Sequence, residues 1–553
     1  MITGLFLIYN CSQAQNQSDL NELEDYINFR ANYDRYSGVT ALYKNDSLIF
    51  RTVKGMANKS WNIENTFNTK FDLASVTKMF TAVGIAILTE RGKLETDEAF
   101  VKYYPDFPNE SAGNITVKQL LTHISGMSDI FFEESFLKSD RNRLRELKDY
   151  DKFYQTIRIG DVPQNQIHYS NTNFLILGRL IEKITGKSYY EFIREEIFEP
   201  LEMDATNFFE KDEIITNKAE GYYIDPQASM EFGVPNDGKM RNNITLRPAI
   251  GMPAGGAFST VEDMFKFFSG IMNGMFISEK TFNKFTTENR GGYGLGFQVY
   301  NQNEIPLIGH SGGFYGVSTM VFYLPEKNIT FISLTNSDFA AQPVFDRFIN
   351  ILTGERIRQP ITLSPSELKQ FESFYKVTSG EMKGRQIEIN ALKDRLIFDG
   401  TLEFFPISKN SFFDIDNPGF VLEFERNDNN EITGFNRSDF RRFHQKASRI
   451  ESSEIQELKP IEISTEKLKE YVVNFQFQEG GMMPGHRPSF TIENGSLLID
   501  NMMQFLPYAK DKFFLKDDES MRLHYLRNES KELIQINVLR DKNIVGILRK
   551  NIE

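Results

Sequence analysis

The hydrophobic pattern of the chain changes period along its length, and each change predicts an element. From Gly38, GVTALYKNDSLIFRTVKGMAN alternates on either side of Lys44-Asn45-Asp46, which predicts two β-strands joined by a turn. FDLASVTKMFTAVGIAI, Phe71 to Ile87, then runs apolar at a helical period and stops near Arg91-Gly92-Lys93. A second helical stretch, NFLILGRLIEKITG, spans Asn173 to Gly186 and closes on a glycine. Strand patterns return in GYGLGFQVY and in GVSTMVFYLPEKNITFISLTNS, an apolar hairpin from Gly316 to Ser337. Helices between flanking strand pairs predict an α+β arrangement, an antiparallel sheet covered by helices.

After Gln359-Pro360 the pattern shortens to alternating runs broken by Gly, Asn and Asp, and it repeats. LIFDGTLEFFPISKNSFF, Leu396 to Phe413, aligns without a gap on LLIDNMMQFLPYAKDKFF, Leu497 to Phe514. Upstream, SPSELKQFESFY and STEKLKEYVVNF recur at almost the same separation. Two related modules of about 100 residues are expected, each a short helix followed by strands. Closure into small antiparallel β-barrels most simply satisfies such short, exposed-edge strands.

At 553 residues the chain is too long for one core. Its 40% hydrophobic content is that of a globular protein, and its net charge of -13 with no Lys/Arg cluster argues against a nucleic-acid partner. The start, ITGLFLIYNCSQAQNQ, has a short apolar run before small and polar residues. It predicts a secretory leader with Ser12-Gln13-Ala14 as cleavage site, hence a periplasmic or extracellular protein. Cys11, the single cysteine, lies inside that leader as an alternative lipid-anchor site, so no disulfide is expected in the mature chain. No other stretch reaches the roughly 18 apolar residues of a membrane span.

Candidate chemistry begins with Ser75 and Lys78. Ser-x-x-Lys occurs five times, at Ser75, Ser135, Ser366, Ser373 and Ser464, so the tetrad alone is weak. The last three fall in the polar openings of the repeated modules, where helix capping is expected, and Ser135 sits in the polar EESFLKSDRNR. Ser75 alone opens a long apolar helix. There it is either a cap or a nucleophile favoured by the helix N-terminus. Lys78, one turn on, is either a snorkelling surface residue or an amine desolvated against Phe71, Leu73, Met79 and Phe80, with its pKa lowered so that it takes the serine proton. Downstream, Tyr169-Ser170-Asn171 precedes a helix, and His310-Ser311-Gly312-Gly313 stands just before an expected strand. Tyr-x-Asn also occurs at Tyr26 and Tyr43, whereas His-x-Gly occurs only at His310.

In that order the three motifs resemble the serine β-lactamase and penicillin-binding superfamily. The branch is that of class C β-lactamases, DD-carboxypeptidases, esterases and D-aminopeptidases. ITVKQLLTHISGMSD, MPAGGAFSTVEDMFKFF and YGLGFQV resemble further signatures of that branch, and the likeness covers roughly Glu24 to Thr353. It implies a β-lactamase/transpeptidase-like domain followed by two lipocalin-like barrels: leader 1–20, hydrolase domain 21–358, barrels 359–458 and 459–553. It implies Ser75 as acylated nucleophile, Lys78 as base, Tyr169 as proton shuttle and Asn171 as positioning amide. His310 would complete the catalytic set, the N–H groups of Ser75 and Gly313 the oxyanion hole, and Ser311 and Gly312 the substrate contacts.

The implied reaction is metal-free and cofactor-free acyl transfer on small esters, amides or D-amino-acid peptides. A true β-lactamase, a DD-peptidase and a non-hydrolytic penicillin- or peptide-binding sensor are the alternatives. Where β-lactamases of the superfamily have Lys-Thr-Gly, this chain has His310-Ser311-Gly312, which weakens recognition of an anionic β-lactam. His123 is read as a structural turn residue. With no His-Glu-x-x-His and no cysteine cluster, no metal is expected. The partner expected is a small-molecule or short-peptide substrate, and the sequence is silent on oligomeric state. QFQEGGMMPGHRPSF, Gln476 to Phe490, resembles in position the loop by which the last barrel of D-aminopeptidases borders the active site.

Overall fold

The computed structural model describes residues 2–162, 166–224, 239–287, 290–354, 359–380, 383–400, 402–439, 443–450, 459–473, 475–477, 489–499, 503–516, 518–528, 530–540 and 543–550. The chain divides into two compact units, Met1–Arg356 and Ile357–Glu553.

The first unit is built on a six-stranded antiparallel sheet: β1 (Gly38–Lys44), β2 (Ser47–Lys54), β3 (Gln298–Gln302), β4 (Ile305–Phe314), β5 (Val317–Leu324) and β6 (Ile329–Thr335). The spatial order is β2-β1-β6-β5-β4-β3. The first hairpin therefore docks directly onto the last, with Gly38 opposite Thr335 and Lys44 opposite Ile329. Every residue of β5 and β6 is buried, so both faces of the sheet are covered. On one face, α1 (Ile2–Asn32) and α6 (Ala341–Leu352) pack together and share the Arg347–Glu22 ion pair. Phe345 of α6 lies between Phe322 and Phe331, at 5.1 and 5.0 Å between ring centroids. On the other face, α5 (Val261–Met272) stacks Phe265 on Tyr43 at 3.8 Å. Two further helices, α2 (Lys78–Glu90) and α4 (Asn171–Thr185), pack on each other within that layer, and α3 (Val117–Leu121) leans on α4. Glycine ends α4 as the pattern implied, with Gly186 in the left-handed region.

Two expectations about local structure change. The His-Ser-Gly-Gly motif is not before a strand but inside β4, with Gly312 opposite Thr319 and Gly313 opposite Ser318. Of the three tail tetrads only Ser464 is a cap, accepting from Lys467 N; Ser364 caps its helix in place of Ser366, and Ser373 opens a strand. The strand's Tyr375 and Val377 are buried in the first module's core, and packing of that face overrides the cap reading.

In the second unit, eight strands from Ser373–Val377 to Phe443–Ile450 close into a barrel, because the first strand pairs with both the second and the last. The second module repeats the meander. Its first strand, Phe475–Phe477, pairs with the last, Asn543–Lys550, and among the described residues the ladder ends at Phe490–Glu493 without a further partner. The first strand here is three residues against five in the closed barrel. The glycine-rich loop between Phe477 and Ser489 lies outside the described residues, as do the side chains of Cys11 and of Ser12-Gln13-Ala14, through which the backbone of α1 runs. No helix is long and apolar enough to cross a membrane among the described residues.

Phe345 is fully buried against two rings, so Phe345→Ala is expected to destabilise the first unit by about 3–5 kcal/mol. Urea unfolding followed by near-UV circular dichroism measures this; a loss under 1 kcal/mol would contradict the packing described.

Candidate active site

Ser75 sits in a 3-10 turn, Ala74–Thr77, that leads into α2 at Lys78. Its side chain caps nothing: neither helix start carries a side-chain cap bond. The turn is strained, because Ala74 has φ +43° without being glycine. Asp72 holds it by accepting the Ala74 N–H at 2.8 Å, and Asp72 is itself paired with buried Arg247 at 3.1 Å. From below, Thr319 of β5 donates to Leu73 O at 3.0 Å.

This approach of sheet and turn explains Gly312. A methyl group there would lie 2.3 Å from Thr319 Oγ1, 2.4 Å from Leu73 O and 3.1 Å from Ser75 N. Gly312 is thus the spacer that lets β4 pass beside the turn that carries Ser75.

Lys78 is 0% exposed. The aromatic wall around its amine is not the expected Phe71 and Phe80 but Tyr169 and Phe174, with ring centroids 5.0 and 5.5 Å from Nζ. Nζ donates to Ala254 O at 2.5 Å, Asn171 Oδ1 at 2.8 Å and Ser75 Oγ at 3.0 Å. Burial pushes its pKa down to about 7, with the Asp129 carboxylate acting in the opposite direction. Near neutral pH the amine is therefore present in both forms. A neutral amine has two N–H bonds, which the two carbonyl oxygens accept, and one lone pair, which then faces Ser75 Oγ–H.

Tyr169 donates to Ser75 Oγ at 3.0 Å. Its ring stacks on His123 at 4.2 Å, and 38% of its surface stays exposed. Desolvation, followed by the nearby Tyr293, pushes its pKa well above 10, so it is a proton-bearing phenol in the resting site.

Asn171 is the first residue of α4, and Tyr169 and Ser170 come immediately before it. The sequence places these groups about 90 residues from Ser75, yet both Tyr169 and Asn171 reach the Ser75–Lys78 pair within hydrogen-bond distance.

His310, expected in the catalytic set, takes a different place. It is 1% exposed and bonded through Nδ1 to Ser311 O at 2.5 Å. Burial, then the charge of Lys78, pushes its pKa down to about 3. It is a neutral strand residue, neither a cation nor a proton donor near pH 7. Ser311 N is held by Gln298 Oε1 at 2.9 Å, and Gln298 Nε2 reaches Tyr293 Oη at 3.1 Å.

A cavity of about 420 Å³ opens on Ser75, Asn171 and Gly313. Ser311, Gly312 and His310 are not among its lining residues. Its walls are mainly apolar, with Phe131, Phe136, Leu246, Met252, Phe314 and Phe339 prominent. Its buried cation Arg247 is neutralised by Asp72. No group of three or more His, Cys, Asp or Glu suited to a metal occurs among the described residues.

Several residues of the site carry no motif signal of their own. Ala254 contributes only a backbone carbonyl. Asp129 accepts from Asn171 N and Nδ2. His123, delivered at φ +55° just past the capped helix α3, is the turn residue expected and also the platform under Tyr169. All three, with Tyr293 and Gln298, belong to the stretches MPAGGAFS, LLTHISGMSD and YGLGFQV.

The family model described as Beta-lactamase matches residues 24–354. Penicillin-binding protein 4* of Bacillus subtilis (strain 168) is 26% identical over 402 residues, covering 68% of this chain and 88% of the relative. Among solved structures, the penicillin binding protein from Bacillus halodurans is 27% identical with a TM-score of 0.51, over 59% of this chain and 98% of its own. The D-amino acid amidase from Ochrobactrum anthropi SV3, complexed with L-phenylalanine amide, is 25% identical with a TM-score of 0.51, over 62% of this chain and all of its own.

Gly312→Ala forces the Ser75 turn and β4 apart. A melting-temperature drop equivalent to about 1–3 kcal/mol is expected, the range for overpacking. An unchanged melting curve would show that the two segments are not in contact.

Proposed function

Because the chain belongs to the Beta-lactamase family, we propose that it is a serine hydrolase that forms an acyl-enzyme on Ser75 with small esters, amides or D-amino-acid peptides. The observation that carries the proposal is the buried Lys78 amine, poised near pKa 7 and in hydrogen-bond contact with Ser75 Oγ. Neutral Lys78 takes the Ser75 proton as Oγ bonds to the substrate carbonyl carbon. The resulting oxyanion is met by the N–H groups of Ser75 and Gly313, each donor contributing on the order of 3 kcal/mol. As the C–O or C–N bond to the leaving group breaks, Tyr169 Oη–H supplies its proton, and the ammonium of Lys78 returns a proton to Tyr169 through the groups around Ser75 Oγ. Water then repeats the sequence on the acyl-enzyme and frees the acid.

The cavity's aromatic and aliphatic walls and the neutral His310 support the proposed substrate class. The family's lysine at this position is replaced by a group that stays neutral above about pH 3, so the third motif offers no cation to a substrate carboxylate. The favoured acyl group is apolar where it meets these walls, although Arg141 and Asp338 also line the cavity. A second reading, action on β-lactams or cell-wall peptides, draws support from the likeness to penicillin-binding protein 4* over most of its length.

Hydrolysis of an uncharged nitrophenyl ester is expected to exceed that of nitrocefin, with kcat/KM rising through an inflexion near pH 7 as Lys78 loses its proton. The ratio of the two rates should stay constant between pH 5.5 and 8, because His310 does not ionise there. A ratio that moves toward nitrocefin as the pH falls would mean that His310 ionises, and a nitrocefin rate far above the ester rate would favour the second reading. Ser75→Ala and Lys78→Ala should each abolish labelling by a fluorophosphonate in intact-mass spectra, whereas a penicillin-derived acyl adduct that forms on the wild type and never turns over would indicate a binding protein.

A further inference from the structure

An asparagine amide can present either its oxygen or its nitrogen to a neighbour with almost no steric difference. At Asn171 the two orientations have opposite consequences. With Oδ1 toward Lys78, the amide accepts an N–H and leaves the amine's lone pair for Ser75. With Nδ2 toward Lys78, it donates to that lone pair and competes with the Ser75 hydroxyl for it. Nothing in Asn171 itself chooses between them.

The choice is made one layer out. Asp129, 8% exposed, accepts the Asn171 side-chain amide on Oδ2 at 2.7 Å, and the Asn171 backbone N–H on the same oxygen at 2.9 Å. Its Oδ1 is taken by Phe131 N at 3.0 Å. An ionised carboxylate only accepts, so it admits Nδ2 and excludes Oδ1 from that side. The carboxylate cannot drift, because its loop is stitched to the start of α4. Ser170 Oγ and Thr172 Oγ1 both donate to Ser128 O, at 3.2 and 2.9 Å, and Thr172 Oγ1 accepts Ile130 N at 2.9 Å.

We propose that Asp129 is the positioning residue that locks the Asn171 amide with its oxygen toward Lys78, and so directs the lysine lone pair at Ser75. This rests on the serine-hydrolase reading above. Asp129 touches neither substrate nor the reacting atoms. It also lies close enough to favour the charged form of Lys78. The other titratable groups facing that amine are Tyr169, which keeps its proton, and His123 and His310, which burial holds neutral. Asp129 is therefore the one anion acting on Lys78 among the described residues. The competing explanation is purely architectural: Asp129 supplies a distant cap to α4, whose own N-cap residue, Ser170, makes no side-chain cap bond.

The test compares Asp129→Ala, Asp129→Asn, Asn171→Ala and the double variant Asp129→Ala/Asn171→Ala in the full chain, reading the rate of fluorophosphonate acylation at Ser75. Asp129→Ala is expected to slow acylation by about 10- to 100-fold, the loss of a charge-assisted hydrogen bond expressed as a rate. The double variant should be no slower than Asn171→Ala alone, since both changes remove one device. Losses that multiply, or an Asp129→Ala variant that acylates at the wild-type rate, would overturn the proposal. Asp129→Asn is isosteric and guards against a folding failure. With the negative charge gone, the acid limb of the rate profile should move to lower pH, because less acid-stabilised Lys78 loses its proton earlier; an unmoved limb, or one moved to higher pH, would overturn the role. Lysine 13Cε chemical shifts titrated by NMR read the Lys78 protonation directly and should show the same displacement without any turnover. If the wild type fails to acylate while the NMR displacement is present, the hydrolase reading fails and the Asp129–Asn171–Lys78 linkage stands.

Discussion

The site depends on keeping one amine out of water without stranding it. Lys78 is fully buried, and an uncompensated ammonium there would carry a desolvation cost of several kcal/mol. Three oxygens meet it, and their origins explain most of the architecture around the cavity. Ser75 Oγ comes from the preceding turn, Asn171 Oδ1 from the start of α4, and Ala254 O from the glycine-rich crossing before α5. The three oxygens match the three N–H bonds of an ammonium, and in the neutral amine the two carbonyls keep the two remaining N–H bonds while the lone pair takes the serine hydroxyl. Burial brings the pKa down to about 7, and the Asp129 carboxylate acts against it.

The sheet contributes distance control. Thr319 on β5 grips Leu73 O, and the missing side chain at Gly312 lets β4 run against the turn that carries Ser75. The strain at Ala74 is held by the Asp72–Arg247 pair, so a buried ion pair here fixes a backbone conformation. Its contribution is to geometry more than to net stability, as buried pairs commonly contribute little of the latter. His310 belongs to the same framework. Its Nδ1 is spent on its neighbour's carbonyl, and burial keeps its ring neutral where a lysine would be charged.

Much of this was legible in the chain. The strand–turn–strand at Gly38, the apolar hairpin from Gly316, the two helices and the tail duplication follow from period alone, because each buries a face whose spacing is visible. Ser75, Lys78, Tyr169 and Asn171, which the fold brings within hydrogen-bond distance, stood out because their residue types are chemically specific and their order is unusual. Ala254 escaped because a backbone carbonyl has no side-chain signature. Asp129 escaped because a carboxylate among many others in an acidic chain announces nothing until its partner is known. The proton-bearing state of Tyr169 and the burial of His310 are properties of packing, set by His123 and Tyr293, which no spacing rule reports. Ser373 was misread as cap chemistry because polar composition outweighed a short strand period, whereas in the fold Tyr375 and Val377 anchor that strand.

The pairing of β1 with β6 has a consequence for how the molecule comes into being. Gly38 meets Lys54 within its own hairpin but finds its partner on the other side at Thr335, some three hundred residues downstream, and the turn that carries Ser75 finds its support only when β4 and β5 have been made. During synthesis the growing chain therefore carries Ser75 and Lys78 for most of the first unit's length with neither sheet nor cavity around them. Such late, long-range closure makes folding slow relative to local helix formation. It also means that in an unfinished chain Ser75 stands beside an ordinary, solvated, protonated lysine until the last hairpin seals the ribbon.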